Sequence, residues 1–399
     1  MGKDFSLMKK ILVLNSGSSS LKYQLFNVDG DKYEVVAKGL AERIGIDGSC
    51  VSIKFDGDKK VKEVNLPSHT EAINEVFKLL SEGALNSMDE LTAVGHRVVH
   101  GGEAFAQSVL ITPEVVAKVE ELSALAPLHN PANVLGIKAV SELLPNIPQV
   151  AVFDTAFHQT MKKPAYLYAL PMEQYTKHQI RRYGFHGTSH YYVAKEAAKL
   201  LGKAGKIITC HLGNGASISA VENGECVDTS MGFTPLAGVI MGTRSGDIDP
   251  YIPLHIMKSQ NKTVDEVNTL LNKQSGMLGL SGFSDMRDVE DNFVKGDDKA
   301  IVAMKAYIHA LLKTIGGYIA VLGGVDAIVF TAGIGENSSL IRKLVVEKLA
   351  YLGIKLDEAA NSKRGEALAI STPDSKVKVF VIPTDEELVI AQDTVRLAK

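Results

Sequence analysis

Two arginines stand where an uncompensated cation is costly. Arg97 lies in the apolar run Val94-Gly95-His96-Arg97-Val98-Val99, and Arg244 in the small-residue segment Gly242-Thr243-Arg244-Ser245-Gly246-Asp247. A guanidinium in such company calls for an anion. Two of them suit a carboxylate and a phosphoryl group, which guanidinium binds through paired donors. Each could equally be consumed by an internal carboxylate, so the reading requires both to reach the same pair of reactants. His186, in Tyr183-Gly184-Phe185-His186-Gly187-Thr188, is flanked by glycines that leave its ring little crowded. Asp154 ends the apolar run 150–153, and strand ends at the carboxyl edge of an α/β sheet are where sites collect. His69, His129, His158, His178, His190, His255 and His309 have no such context and stay unassigned.

Three apolar runs break into turns of small residues. Residues 9–15 lead into Ser16-Gly17-Ser18-Ser19-Ser20, residues 206–212 into Gly213-Asn214-Gly215, and residues 326–331 toward Gly333-Ile334-Gly335-Glu336-Asn337. Small residues let successive backbone N–H groups approach an anion and form a concave nest. In the first turn the serine hydroxyls add donors, and Lys22, two residues past Ser20, shares its strand face. Asn15, at the end of the first run, is placed to orient a hydrated magnesium ion. Glycines in the third turn allow close approach to a flat ring or a ribose, at a helix N-terminus that favours anions. Ser338 stands where the third glycine of G-x-G-x-x-G would be, and no G-x-x-x-x-G-K-[ST] occurs. A Rossmann dinucleotide site and a P-loop therefore fit poorly. An adenosine-holding loop is the better reading.

The elements that must position these residues alternate between strand and helix periods. Ile73, Val76, Phe77 and Leu80 share one helix face behind a Ser68-x-x-Glu71 capping box, and Thr112-Pro113 opens another helix. Residues 300–315 read as a long helix ended by Gly316-Gly317, and 386–397 as a last helix after the Pro383-Thr384-Asp385 turn. Such alternation means an α/β chain with mixed or parallel sheets. Gly17 and Gly213 open matching strand–turn–strand units, each followed by a hairpin turn, Val28-Asp29-Gly30 in one and Glu222-Asn223-Gly224 in the other. The chain reads as a duplication of two domains with a cleft between them. The first is residues 1–150 plus a returning C-terminal helix, 386–399, and the second is 151–385.

Composition narrows the partners. The 43 Lys and Arg against 46 Asp and Glu give a net charge of −3 without basic blocks, which argues against nucleic acid. Cys50, Cys210 and Cys226 form no C-x-x-C pair, so the expectation is no disulfide framework, no zinc-finger-type site and a reducing cytoplasm. The apolar run after Met1 is too short for a signal-peptide core, and Asp326 with several glycines interrupts the stretch 318–334. No membrane segment is expected. Met1-Gly2-Lys3-Asp4-Phe5-Ser6 matches a loose myristoylation pattern and is read as coincidence.

Eight segments in order carry a resemblance. They are Asn15-Ser16-Gly17-Ser18-Ser19-Ser20-Leu21-Lys22, Gly95-His96-Arg97-Val98-Val99-His100-Gly101-Gly102, Phe153-Asp154-Thr155-Ala156-Phe157-His158, Tyr183-Gly184-Phe185-His186-Gly187-Thr188-Ser189, His211-Leu212-Gly213-Asn214-Gly215, Gly242-Thr243-Arg244-Ser245-Gly246-Asp247, Gly333-Ile334-Gly335-Glu336-Asn337 and Pro383-Thr384-Asp385-Glu386-Glu387-Leu388. Together they resemble the acetate kinase family, within the superfamily of acetate and sugar kinases, actin and heat-shock chaperone ATPases. The resemblance covers essentially the whole chain.

The resemblance implies two actin-like ATPase-type domains and reversible, magnesium-dependent phosphoryl transfer from ATP to acetate, giving acetyl phosphate and ADP by direct in-line transfer. Asn15 and Glu386 would serve magnesium, for which manganese could substitute, and Lys22 would contact ATP. Arg97 would bind the acyl carboxylate, with Val99, Leu128, Phe185 and Pro235 around its methyl group. Asp154 would be the essential aspartate, and His186 and Arg244 would stabilise the transferring phosphoryl group. His211, Leu212, Gly213, Asn214 and Gly215 would form one nucleotide segment, Asp285, Met286 and Arg287 a second, and Gly333, Ile334, Gly335, Glu336 and Asn337 a third. Met286 replaces an aromatic residue of some relatives, which leaves nucleotide preference open. A cytoplasmic homodimer is also implied. A carboxylate acceptor with a pKa of about 4 is already ionised at neutral pH. The site must therefore supply positioning and charge neutralisation rather than a general base. Propionate or butyrate kinase is the runner-up. A nucleotide-gated interaction protein of the actin or chaperone kind is the reading from another class, and it would not need Arg97, Arg244 and His186 together.

Overall fold

Runs such as Ile11-Leu12-Val13-Leu14 and Ile207-Ile208 are apolar on both strand faces and rich in β-branched residues, so they belong in sheets covered on both sides. The computed structural model describes residues 8–127 and 129–398, and there these side chains are buried. The myristoylation-like segment and Leu128 lie outside the described residues.

The first sheet holds β1 (Lys9–Ser16), β2 (Ser20–Asp29), β3 (Lys32–Glu42), β4 (Cys50–Phe55), β5 (Asp58–Glu63), β6 (Leu91–Val98), β7 (Val109–Leu110) and β8 (Gln149–Phe153), in the order β5-β4-β3-β2-β1-β6-β8-β7. The second holds β9 (Lys206–Leu212), β10 (Ala216–Glu222), β11 (Glu225–Thr229), β12 (Ala327–Thr331), β13 (Leu368–Ala369) and β14 (Lys378–Val381), in the order β11-β10-β9-β12-β14-β13. Both run antiparallel, antiparallel, parallel, parallel and finally antiparallel, from β3 to β7 in one and β11 to β13 in the other. The first sheet adds the β4–β5 hairpin. This is an α/β architecture with two mixed sheets flanked by helices, and the shared strand plan is what a duplication would leave behind.

The chain divides into one unit of Met1–Ala156 with Asp385–Lys399 and another of Phe157–Thr384. The division expected at residue 150 instead falls within β8. That strand pairs in parallel with β6 through Phe153, which keeps the following residues in the first unit. In this unit the helices His69–Ser81 and Asn130–Leu143 cover one sheet face with Ile73, Val76, Leu80 and Val140. The C-terminal helix Glu386–Leu397 covers the other with Ile390 and Ala391. It lies so close to β6 that a Cβ on Gly95 would stand 2.3 Å from Thr394 Oγ1. Each such aliphatic side chain, fully buried, contributes about 1.5–3 kcal/mol.

In the second unit the helix Gly187–Leu201 packs Val193, Ala194 and Ala197 onto Ile207, Val221 and Val329. The long helix here corrects an expectation. It runs Asp298–Leu322, straight through Gly316-Gly317, and stops at Gly323 with φ 65°. The helix on either side of the glycine pair buries Leu311, Ile315, Tyr318 and Leu322, and that burial outweighs the pair's low helix propensity. The Gly333–Asn337 segment is likewise not a loop: Ala332–Asn337 forms a short helix before Ser339–Lys348. Among the described residues no helix is long and apolar enough to cross a membrane.

Candidate active site

In the first unit the sheet delivers its polar groups at strand ends. Arg97, on β6, donates from Nε to Asp154 Oδ1 at 2.9 Å and from Nη2 to Asp154 Oδ2 at 2.6 Å. Its Nη1 donates to Asn15 Oδ1 at 3.2 Å. Asp154 follows β8, and its side chain is 2% exposed. Burial works against the Arg97 charge, but Asp154 outweighs that and holds the guanidinium above its ordinary pKa. The internal-carboxylate pairing weighed for Arg97 is thus present, and it leaves Nη1 turned to Asn15.

Glu386 opens the C-terminal helix in the same cluster, and Lys22 pairs with Glu387 beside it. Burial pushes the Glu386 carboxyl up to about 7, Arg97 opposes this, and Asp154 and Glu387 add to it. Asp154, Glu386 and Glu387 against Arg97 and Lys22 leave acid in excess. Among the described residues, no group of three or more His, Cys, Asp or Glu is arranged to hold a metal ion. Val99 is buried next to Arg97, and its N–H donates to Asn133 Oδ1 at 3.0 Å.

In the second unit a tight turn joins β9 to β10, closed by Gly213 N donating to Gly215 O at 3.1 Å. A Cβ on Gly215 would stand 3.5 Å from Arg244 Nη1 and 3.6 Å from His186 Nε2. The guanidinium and the imidazole therefore border one small space at this glycine. Arg244 donates from Nη1 to Pro235 O at 3.0 Å. Its segment is clamped by Met241 N to Arg244 O at 3.2 Å and Ser275 N to Thr243 O at 3.0 Å. Burial alone lowers its pKa, and among the described residues no carboxylate answers it.

His186 caps the helix Gly187–Leu201 with φ 57°. Its ring is more confined than its glycine neighbours imply: it stacks on His211 with centroids 4.1 Å apart and its Nδ1 meets Ser217 Oγ at 2.9 Å. Phe185 is buried, and its carbonyl meets His158 Nε2 at 2.9 Å.

A cavity of about 770 Å³ opens beside the same turn. It collects the expected Gly213, Asn214, Asp285, Met286, Arg287, Gly333, Ile334 and Asn337. Asp285 caps the helix Met286–Lys295 and takes Arg287 Nη2 at 2.6 Å, which holds its carboxyl at about 2. His211, Leu212, Gly215, Gly335 and Glu336 do not line it. Leu212 is buried in β9, and Glu336 Oε1 instead accepts from Thr384 N at 3.1 Å.

Comparison with known proteins settles the family. The model of the acetokinase family matches residues 10–392. The chain is 57% identical to the acetate kinase of Halothermothrix orenii, over 98% of this chain and 100% of that protein. The crystal structure of Porphyromonas gingivalis acetate kinase superposes with a TM-score of 0.93 at 48% identity, covering 98% of this chain and 100% of the other. A propionate kinase from Francisella tularensis gives 0.92 at 45% identity, again covering 98% and 100%. The chain belongs to the acetokinase family. It is a kinase, a phosphotransferase whose acceptor is a carboxyl group.

Sequence reasoning missed several groups in this kinase. Ser284, Glu290, Ser338 and Arg364 also line the cavity. Arg342, wholly buried, donates from Nη1 to the carbonyls of Gly335 and Glu336 at 2.9 Å and from Nε to Asn361 Oδ1 at 2.8 Å. Ser217, His190 and Thr209 lie behind His186. For Ser217 and Thr209 the signal was in the sequence: polar residues on strands buried on both faces need internal partners.

Proposed function

We propose that this kinase transfers the γ-phosphoryl group of ATP to acetate, reversibly and in line, giving acetyl phosphate and ADP. The observation that carries this reading is the space at Gly215, bordered by Arg244 Nη1 and His186 Nε2 and sharing its turn with the 770 Å³ cavity. A triphosphate with its nucleoside in the cavity would bring its terminal phosphate toward these donors. Arg244 and His186 would stabilise charge on the equatorial oxygens. Arg97, already oriented by Asp154, would hold the acceptor carboxylate, with Val99, Phe185 and Pro235 near its methyl group. Asp154 needs no proton to remove, because the acceptor is ionised. Its task is to hold Arg97.

Glu386 and Asn15 would hold magnesium, directly or through its waters. The fit rests on the excess acid around Glu386 and on the all-oxygen donors, which suit a cation that keeps most of its hydration. Bound there, the ion would neutralise phosphate charge. Lys22 would add a further cation.

The three unbridged cysteines support a cytoplasmic placement. A homodimer is supported by the helix Tyr251–Ser259, which buries none of its residues and exposes Tyr251, Ile252 and Leu254. The propionate kinase among the structural relatives keeps a longer acyl chain as a second reading, since a methylene is worth only about 1–3 kcal/mol in a pocket.

The test is acyl hydroxamate formation with MgATP, hydroxylamine and acetate, propionate or butyrate. Acetate should give the highest kcat/KM. No product from any of the three would end the proposal.

A further inference from the structure

Behind His186 runs a chain of buried hydrogen bonds. His186 Nδ1 meets Ser217 Oγ at 2.9 Å, Ser217 Oγ meets His190 Nε2 at 2.7 Å, and His190 Nδ1 meets Thr209 Oγ1 at 2.7 Å. Ser217, His190 and Thr209 are each 0% exposed. Four groups in series have two directions in which their protons can point, and one end decides between them. The Thr209 hydroxyl has His190 Nδ1 as its partner. Were it to accept there, its own hydrogen would be buried with no acceptor among the described residues, at a cost of about 1–3 kcal/mol. Thr209 therefore donates to Nδ1, and the His190 proton sits on Nε2. That proton goes to Ser217 Oγ, whose own hydrogen then goes to His186 Nδ1. Burial keeps His190 neutral, its pKa well below the ordinary value, with His158 and His211 adding to the shift. A second imidazolium proton on His190 would break the sequence.

We infer that Ser217, oriented by the His190–Thr209 pair, is a positioning residue that fixes His186 as the tautomer protonated on Nε2. This is the nitrogen that borders the Gly215 space beside Arg244. A neutral imidazole presenting N–H can donate to a phosphoryl oxygen, whereas the other tautomer would present a lone pair and repel it. Stacking on His211, 21° from parallel, sets the ring plane, and Ser217 sets the proton. The inference rests on His186 being the group that faces the transferring phosphoryl.

The experiment uses the full chain in three forms: Ser217→Ala, Ser217→Thr and the pair His186→Ala with Ser217→Ala. Ser217→Ala should lower kcat about 10–100-fold, the range seen when a partner orienting an imidazole is removed, with KM for acetate and ATP unchanged. Ser217→Thr, which keeps the hydroxyl, should recover most of the loss. In the His186→Ala background Ser217→Ala should cost nothing further, since it acts through that ring. Nitrogen-15 NMR of the labelled wild-type protein should show His186 protonated on Nε2, and Ser217→Ala should abolish that preference. An equal loss in both backgrounds, or a His186 tautomer indifferent to Ser217, would overturn the inference. If Ser217→Ala does not fold, Thr209→Val addresses the far end of the chain and should mix the His190 and His186 tautomers in the same spectra. The tautomer is read without turnover. Inactivity of the wild type toward carboxylates would therefore sink the proposed function, while an active wild type protonated on Nδ1 would sink this inference alone.

Discussion

Arg97 and Arg244 are proposed for neighbouring tasks, yet the fold treats them oppositely. Arg97 enters as half of a bidentate pair with Asp154. Arg244 is half-buried against a carbonyl, with no carboxylate among the described residues to neutralise it. A pre-neutralised guanidinium binds a carboxylate with geometry more than with charge, which limits how tightly an acceptor is held. Tight ground-state binding of the acceptor would lower KM without raising kcat. An uncompensated guanidinium at the phosphoryl position gains most as negative charge arrives. The difference separates a holder of ground states from a stabiliser of transition states.

The largest expected effect tests the second half of that contrast. Arg244→Ala should lose about 10³–10⁵ in kcat/KM, the worth of a transition-state arginine. Its unfolding free energy should move by no more than about 1 kcal/mol, because only neutral acceptors, Pro235 O and the weak Met241 Sδ, are released. Kinetics by hydroxamate trapping and denaturant melts on one preparation would check both. A variant that unfolds outright would show that Arg244 is structural.

Arg97→Ala should also abolish most turnover, but with a different thermodynamic signature. Asp154 would be left buried and charged, at a cost of about 3–5 kcal/mol. Adding Asp154→Asn should restore much of that stability and none of the activity. Equal melting points for Arg97→Ala and Arg244→Ala would erase the contrast between the two.

The same contrast explains what was legible beforehand. Strand runs, the paired hairpin turns and the clustering of the cavity glycines are encoded locally, by apolar blocks and small residues. The duplicated strand plan could be inferred because Gly17 and Gly213 begin similar units. What sequence could not reveal was which acid meets which base. Asp154 and Arg97 come together only through the parallel register that sets Arg97 opposite Val152. The helix through Gly316-Gly317 was missed because tertiary burial overrode local propensity. Ser217 and Thr209 carry no local mark of their role, since their partners His186 and His190 come from the start of the helix Gly187–Leu201 packed on the sheet.

The two small-residue turns offer a finer probe. Neither Gly17 nor Gly215 has a positive φ, so alanine fits the backbone at both. At Gly215 the new methyl would stand in ordinary contact with Arg244 and His186, in the space proposed for phosphoryl oxygens. At Gly17 it would press on Ser20 Oγ at 3.0 Å, a hydroxyl able to turn away. Gly215→Ala should therefore lower kcat/KM about 10–100-fold, near 1.4–2.7 kcal/mol of barrier, without altering the melt. Gly17→Ala should cost less than Gly215→Ala in activity, and a reversed order would place the phosphoryl site at the first turn instead.

The smallest effect concerns pH and is read at one carboxyl of the first unit. The Glu386 carboxyl is raised from 4.5 to about 7 in the fold, so the folded chain binds a proton that the unfolded chain has already lost. Its contribution is fully present below about pH 4.5 and declines as pH rises through 7, by on the order of 1–2 kcal/mol once solvent screening is allowed for. His96 and His100, buried with pKa values of about 4, run the other way: they favour the fold above pH 6.5 and lose that contribution as pH falls toward 4. Wild type alone would blur these opposing slopes, whereas the difference between wild type and Glu386→Gln cancels the histidines. In metal-free buffer Glu386→Gln should gain stability relative to wild type between pH 5 and pH 8. Magnesium should remove that gain by stabilising wild type at pH 8 and leaving the glutamine variant unmoved. Hydrogen exchange read by unit would localise the change to residues 8–156 and 385–398. A magnesium response of equal size in both proteins would take Glu386 out of the metal site and leave its raised pKa as a cost of burial alone.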